Sequence, residues 1–232
     1  MQDKIIPDGK WKFDGDVTKV FDDMLERSIP SYHEMRELVK KIGFEYAKIN
    51  TAIVDIGCSK GEAIAPFISR FGDELQYFLY DVSEPMLNAC KERFGTGEEI
   101  HIEKFDIRNG IPKTKASVIL SVLTLQFTPI EYRHKIIKSI YDSLTPDGVF
   151  IIVEKVLGNT SEIDELFVKR YYEMKSDNAY TQEQILSKRK SLEGVLVPIT
   201  AKWNEDLLRE TGFKQIDCFW RHLNFAGWIV KK

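Results

Sequence analysis

Ile53-Val54-Asp55-Ile56-Gly57-Cys58-Ser59-Lys60-Gly61 reads as a short buried strand running into a tight glycine turn that opens a helix. About two dozen residues on, Gln76-Tyr77-Phe78-Leu79-Tyr80-Asp81 ends a second apolar strand on an acid. A glycine turn after the first strand lets a ligand approach the backbone closely, and a carboxylate ending the second can bind two vicinal ribose hydroxyls. Together they describe an adenosine-type ligand lying across the carboxyl edge of a parallel sheet. The spacing narrows the ligand. A dinucleotide fingerprint needs G-x-G-x-x-G, whereas Asp55, Gly57 and Gly61 give D-x-G-x-x-x-G, without the middle glycine that admits a diphosphate; there is no G-x-x-x-x-G-K-[ST] loop either.

Outward from this pair, the chain alternates strand and helix. Strand 1 is predicted over Ala52–Ile56 with a helix from Gly61 to about Phe71, and strand 2 over Gln76–Asp81. Ser83-Glu84-Pro85 is a well-formed start for a helix through Phe94, with serine as N-cap and an acid and a proline in the first turn. Strand 3 is predicted over Ile100–Phe105 and strand 4 over Ala116–Ser121, whose consecutive apolar residues suit a strand buried on both faces. A helix over Pro129–Leu144, a turn at Pro146-Asp147-Gly148 and strand 5 over Val149–Glu154 follow. This order argues for a doubly wound parallel sheet with right-handed crossovers. Residues 156–200 break the alternation with charged and aromatic helices, including Arg170-Tyr171-Tyr172, Tyr180 and Lys188-Arg189-Lys190; an insertion at this point lies beside the ligand crevice. A helix over Asn204–Thr211 and an antiparallel pair, Ile216–Arg221 and Asn224–Val230, close the sheet. The first fifty residues read as two amphipathic helices parted at Ser28-Ile29-Pro30, with Phe13, Val17, Val20, Phe21, Met24 and Leu25 on one face, forming a lid over the crevice. The whole is one domain: 1–50 lid, 51–155 ligand-binding core, 156–200 insertion, 201–232 closing helix and strands.

At 232 residues and 43% hydrophobic content the chain can bury one full α/β core. A net charge of −3 gives no basic footprint for nucleic acid. Cys58, Cys90 and Cys218 are far apart in sequence, and His33, His101, His134 and His222 show no ligand spacing, so neither a disulfide framework nor a metal site is suggested. No apolar run reaches the roughly 20 residues of a membrane span, and the first residues lack the apolar core of a signal peptide; the expected location is the cytoplasm.

The form D-x-G-C-S-x-G looks like the first motif of class I S-adenosylmethionine-dependent enzymes, in which Asp55 would face the amino-acid end of S-adenosyl-L-methionine. Longer stretches are more specific: Val20-Phe21-Asp22-Asp23-Met24-Leu25-Glu26-Arg27-Ser28-Ile29-Pro30-Ser31-Tyr32, Thr124-Leu125-Gln126-Phe127, Ser187-Lys188-Arg189 leading into Leu192-Glu193, and Cys218-Phe219-Trp220 with Asn224-Phe225. Over nearly the whole chain, from about Phe13 to Val230, the sequence resembles the carboxy-S-adenosyl-L-methionine synthases of the tRNA wobble-uridine pathway. That resemblance implies a Rossmann-like class I methyltransferase fold, a mostly parallel seven-stranded sheet with helices on both faces, and a homodimer. The reaction it implies takes S-adenosyl-L-methionine and prephenate to carboxy-S-adenosyl-L-methionine and phenylpyruvate, with carbon dioxide from prephenate captured by a sulfonium ylide at the methyl group. It places the carboxylate-binding, catalytic arginine on Arg189 and the pocket tyrosine on Tyr32. The glycine-turn contacts fall on Gly57, Cys58 and Ser59, those after strand 2 on Val82 and Ser83, and the adenine-flanking pair on Asp106 and Ile107, while Asp81 anchors the ribose. A guanidinium suits the new carboxylate because its planar fork pairs with it through two charge-assisted hydrogen bonds. One position departs: the family's asparagine after strand 4 is Val122 here, whose side chain cannot hydrogen-bond a cofactor. Val156 stands where the family has phenylalanine.

Plainer readings exist for the same residues. Lys188-Arg189-Lys190 alone is a solvated helix face, Tyr32 a core tyrosine with a satisfied hydroxyl, Asp106 a turn former and Cys58 a small turn residue. The alternative function is methyl transfer to a small molecule or a tRNA, which needs an acceptor held in line and often a base. No N-P-P-[YF] motif follows strand 4 to mark an amino-group acceptor. A module that only binds an adenosine ligand for a partner is the non-enzymatic reading, and the aromatic, arginine-bearing insertion argues against it.

Overall fold

In the computed structural model, which describes residues 1–95 and 97–232, the glycine-turn stretch is strand β1 (Ala52–Ile56), buried at all five positions. It pairs in parallel with β2 (Gln76–Asp81) on one side and β4 (Ala116–Val122) on the other. β3 (Ile100–Lys104) flanks β2, and β5 (Leu144–Leu157) flanks β4, also in parallel. β8 (Phe225–Lys231) lies antiparallel to β5, and β7 (Gln215–His222) antiparallel to β8, so the order is β3-β2-β1-β4-β5-β8-β7. This is the predicted seven-stranded sheet with its antiparallel closing pair. One strand was not foreseen: β6 (Ile199–Thr200) pairs with Val156 and Leu157 and makes an eighth.

Consecutive residues of the central strands serve opposite faces, which is why these strands read as apolar runs rather than alternations. Val118, Leu120, Ile151 and Val153 pack with Met35 and Val39 of α2 (Tyr32–Tyr46) and Phe67 of α3 (Ala65–Phe71). Ile119, Phe150 and Ile152 pack instead with Ile136 and Ile140 of α5 (Ile130–Ser143) and with Leu208 of α8 (Ala201–Glu210). No helix among the described residues is long and apolar enough to cross a membrane.

Three boundaries differ from the prediction for local reasons. The helix after β1 begins at Ala65, not Gly61, because Gly57, Ser59 and Gly61 all sit at positive φ (66°, 48° and 75°), which no α-helix admits. Pro146-Asp147-Gly148 is not a turn before β5 but a bulge within it: the register passes from Ala116↔Leu144 to Val118↔Val149, with Asp147 at φ 63°. The first helix, α1 (Gly15–Ser28), starts after Phe13, since Asp14 caps it by accepting the Asp16 and Val17 N–H groups at 3.1 and 3.0 Å.

Residues 1–14 are therefore a non-helical strap rather than part of a helical lid. Its anchor is Asp3, fully buried and ion-paired to Lys188 of α7 (Gln182–Leu192). Tyr180 Oη donates to Asp3 Oδ2 at 2.5 Å, and the Asp3 N–H donates to Asp23 Oδ2 of α1 at 2.7 Å. The Trp11 N–H reaches the Ser191 carbonyl at 2.9 Å. The strap so ties α1 to the insertion, which consists of α6 (Ser161–Asp177) and α7.

Candidate functional site

At the carboxyl ends of β1, β2 and β4 the chain encloses a cavity of about 920 Å³, near the top of the range for small-molecule sites. The sheet forms its floor. Trp11 and Phe13 of the strap, α1 and Tyr32 roof it, and Tyr171, Lys175 and Lys188 wall it on the insertion side.

Along the floor the polar groups are fixed by backbone. Asp81 Oδ2 accepts the Ser59 N–H at 2.9 Å and Oδ1 the Ser83 N–H at 2.8 Å, so one carboxylate joins the loops after β1 and β2. Burial pushes its pKa up against the pull of those amides. The Gly57 and Cys58 N–H groups donate to the Tyr80 carbonyl at 2.7 and 3.0 Å. At Gly57 a Cβ would collide with the Thr124 side chain, whereas at Gly61 it would strike Phe94, so the second glycine serves the packing of α4 (Glu84–Phe94). Asp55 is 1% exposed and its Oδ2 has no hydrogen-bond partner among the described residues; burial raises its pKa to about 7, opposed by Arg36 across the cavity lining. A buried carboxylate oxygen left open is the donor-seeking group that an ammonium would satisfy.

Of the ten residues expected to contact the cofactor, nine line this cavity: Tyr32, Asp55, Gly57, Cys58, Ser59, Asp81, Val82, Asp106 and Ile107. Tyr32 opens α2 behind Ser31, which is at φ 47°, and burial raises the pKa of its hydroxyl. Asp106 is also the turn former of the plainer reading: it accepts the Arg108 N–H at 3.0 Å, and a fork-like pair with the Arg108 guanidinium holds its carboxyl below the usual range. Ser83 is outside the lining. Its hydroxyl donates to the Phe13 carbonyl at 2.6 Å, which ties the strap to β2, and accepts the Met86 N–H as the N-cap of α4.

Arg189 is likewise outside this cavity. It is exposed on α7 and lines a separate outer recess with Tyr172, Asp164, Glu165 and Glu173. Its neighbour Lys188, a helical step of about 100° away, turns inward to Asp3 and is 3% exposed. The basic cluster thus divides between two faces of one helix.

The Thr124-Leu125-Gln126-Phe127 stretch is a clasp. Glu154 Oε1 accepts the Leu125 N–H at 3.0 Å, and Gln126 Oε1 accepts the Lys155 N–H at 2.5 Å. The Gln126 carbonyl takes the Val197 N–H at 2.7 Å, and Phe127 meets Phe13 edge-on at 5.1 Å. Buried Arg133 donates to the Thr128 carbonyl and to that of Val197, closing the loop from below. Burial raises the Glu154 pKa to about 8, with Arg133 and the Leu125 amide opposing. Val122 lines the cavity and packs against the apolar core beneath it. Tyr171, named from sequence only within the aromatic- and cation-rich insertion, lines the same space with Lys155 of β5 and Lys175, neither of which the sequence singled out.

Residues 53–148 match the model of a methyltransferase domain. The fold is shared with an O-methyltransferase family protein from Burkholderia thailandensis, at a TM-score of 0.64 and 16% identity, over 95% of this chain and 60% of that one. Fold and cavity define a class I methyltransferase-type α/β protein. Sequence relatives are more specific: the chain is 36% identical over 224 residues to a carboxy-S-adenosyl-L-methionine synthase of Methylococcus capsulatus, covering 95% of this chain and 93% of the relative. It is also 36% identical to the synthase of Staphylococcus epidermidis, over 96% and 97% of the two chains. This chain belongs to the carboxy-S-adenosyl-L-methionine synthase family.

Proposed function

We propose that this chain is an enzyme that converts S-adenosyl-L-methionine and prephenate to carboxy-S-adenosyl-L-methionine and phenylpyruvate, for tRNA wobble-uridine modification in the cytoplasm. The observation that carries this reading is the cavity at the carboxyl edge of the sheet in a member of the family: nine of the ten expected contacts line it, and cations and aromatics line its far wall. Asp81 would hold the ribose hydroxyls, Asp106 and Ile107 would flank the adenine, and the open oxygen of Asp55 would receive the ammonium of the amino-acid end, beside Tyr32. Bound there, the substrate supplies a methyl group made weakly acidic by its sulfonium. The overall balance closes with water. The donor's C–CO2 bond breaks and a carbon–carbon bond forms at the methyl carbon, while the proton lost there joins the hydroxide lost by prephenate.

Arg189 is proposed to hold the new carboxylate. Because it opens onto the outer recess of its own chain, it would serve the cavity of a second copy, and the working unit is then a homodimer. Arg189→Ala should abolish binding of carboxy-S-adenosyl-L-methionine and leave that of S-adenosyl-L-methionine nearly intact; equal loss of both in a titration refutes the role. The broader test is mass spectrometry of the nucleoside that leaves the purified protein on denaturation. A mass one carbon dioxide above S-adenosyl-L-methionine supports carboxyl transfer. S-adenosyl-L-methionine or its demethylated product alone points to methyl transfer instead.

A further inference from the structure

The far wall of the cavity carries two lysines that no carboxylate among the described residues neutralises. Lys155 lies near the carboxyl end of β5, partly buried, and Lys175 near the end of α6, 6% exposed. Among the described residues neither ammonium group has a hydrogen-bond or ion-pair partner. The acids that face them are already engaged: Asp164, the one acid acting on Lys155, accepts the Gly158 N–H at 2.7 Å, and Asp3, the one acting on Lys175, is taken by Lys188 and Tyr180. The remaining neighbours of Lys175 are the cations Lys155, Lys188 and Arg27.

What the two ammonium groups share is a ring. Lys155 Nζ stands 4.4 Å from the Tyr171 centroid and 5.7 Å from that of Phe225; Lys175 Nζ stands 5.5 Å from Tyr171 and 4.9 Å from Tyr180. Aromatic faces soften the burial of a cation without neutralising it. Burial accordingly lowers the Lys155 pKa to about 8 and that of Lys175 to about 7. A buried charge is tolerated when a partner completes it, and here the partner has to come from the cavity, which both residues line with Tyr171 and Phe225. Position separates this wall from the cofactor contacts: β5 is three strands from β2, about 14 Å at the usual spacing.

We propose that Lys155 and Lys175 form the subsite of the carboxyl donor, each ammonium group taking one carboxylate of a small dicarboxylic acid whose apolar body rests against Tyr171 and Phe225. The inference rests on the carboxyl-transfer reading for the identity of that acid, but not for the subsite itself. Methionine at either position removes an unpartnered buried charge, so Lys155→Met and Lys175→Met should fold at least as stably as the parent.

The test is calorimetric binding to the S-adenosylhomocysteine-loaded protein, which has no methyl group to react, with prephenate and isophthalate as probes, alongside turnover with prephenate. The parent should bind both dicarboxylates, each single variant should bind them roughly 10- to 100-fold more weakly, and S-adenosylhomocysteine affinity should stay within about three-fold. Lys155→Arg should recover part of the loss. If the parent makes carboxylated product and the methionine variants bind prephenate unchanged, or lose S-adenosylhomocysteine equally, the subsite is overturned and the donor reading survives. If isophthalate binds in a lysine-dependent way but prephenate is never turned over, the subsite stands and the donor reading falls. Binding of neither probe to the parent overturns both.

Discussion

The two halves of the cavity are built on different principles. On the sheet side, Asp81 is met by the amides of Ser59 and Ser83 and the glycine turn is hung on the Tyr80 carbonyl, so backbone fixes each group within one strand spacing. On the insertion side, position depends on side chains far apart in sequence, above all Asp3 with Lys188 and Tyr180, and two cations are left open. The sheet side is a fixed mould for a ligand common to the fold. The insertion side is assembled by tertiary contacts between residues distant in sequence.

The largest effect that would sharpen this contrast is on stability. Lys188→Met strands Asp3 as a buried unpaired carboxylate, at a cost of about 3–5 kcal/mol. For a chain of this size that lowers the melting temperature by about 10 °C, and Asp3→Leu with Lys188→Met should recover most of it. A double variant no more stable than the single one, by calorimetry, would break the claim that the strap is held by that pair.

Next, Asp81→Ala should weaken S-adenosyl-L-methionine roughly 100-fold, since hydrogen bonds to a charged group contribute about 1.5–3 kcal/mol each, yet shift the melting temperature less than Lys188→Met does. Equal thermal loss in the two variants would erase the distinction between the halves.

The halves should also titrate in opposite directions. Asp55, faced by Arg36 and Asp81, is raised to about 7 by burial, so affinity for the ammonium-bearing cofactor should fall as pH drops through 7. Lys155 and Lys175 are depressed to about 8 and 7, so affinity for a dicarboxylate should fall as pH rises through that interval, roughly 100-fold by pH 9 when both ammonium groups are lost. Because the unfolded chain keeps these lysines protonated to about pH 10.5, stability without ligand should rise over the same interval, apart from other titrations. Parallel pH profiles for the two ligands would contradict the assignment.

Smallest is Val122→Asn. It adds at most one neutral hydrogen bond, about 1 kcal/mol, and should tighten S-adenosyl-L-methionine no more than about five-fold; a loss would mean the site has been reshaped around the apolar side chain.

Legibility followed the same division. The sheet half could be read because strand ends and glycine turns encode position locally: β1, β2 and Asp81 lie where the pattern predicted, and Gly57 has the positive φ that the turn demands. The insertion half could not, because its decisive contact joins residues 185 positions apart and no periodicity announces it. Asp3 carried no motif at all. Lys188 and Arg189 are adjacent in sequence, yet helical rotation sends one into the core and the other to the outer recess. Phe13 fitted a helical stripe but lies in the strap, since Asp14 was the stronger local signal as an N-cap. The bulge at Pro146-Asp147-Gly148 had every mark of a turn, and only pairing with β4 across it makes it part of β5.

The central claim is tested most directly by incubating the protein with S-adenosyl-L-methionine and prephenate carrying ¹³C in the ring carboxylate, then weighing the products. The account predicts a nucleoside heavier than S-adenosyl-L-methionine by one labelled carbon dioxide, formed mole for mole with unlabelled phenylpyruvate. Unchanged S-adenosyl-L-methionine with intact prephenate, or S-adenosylhomocysteine with a methylated acceptor, would contradict it.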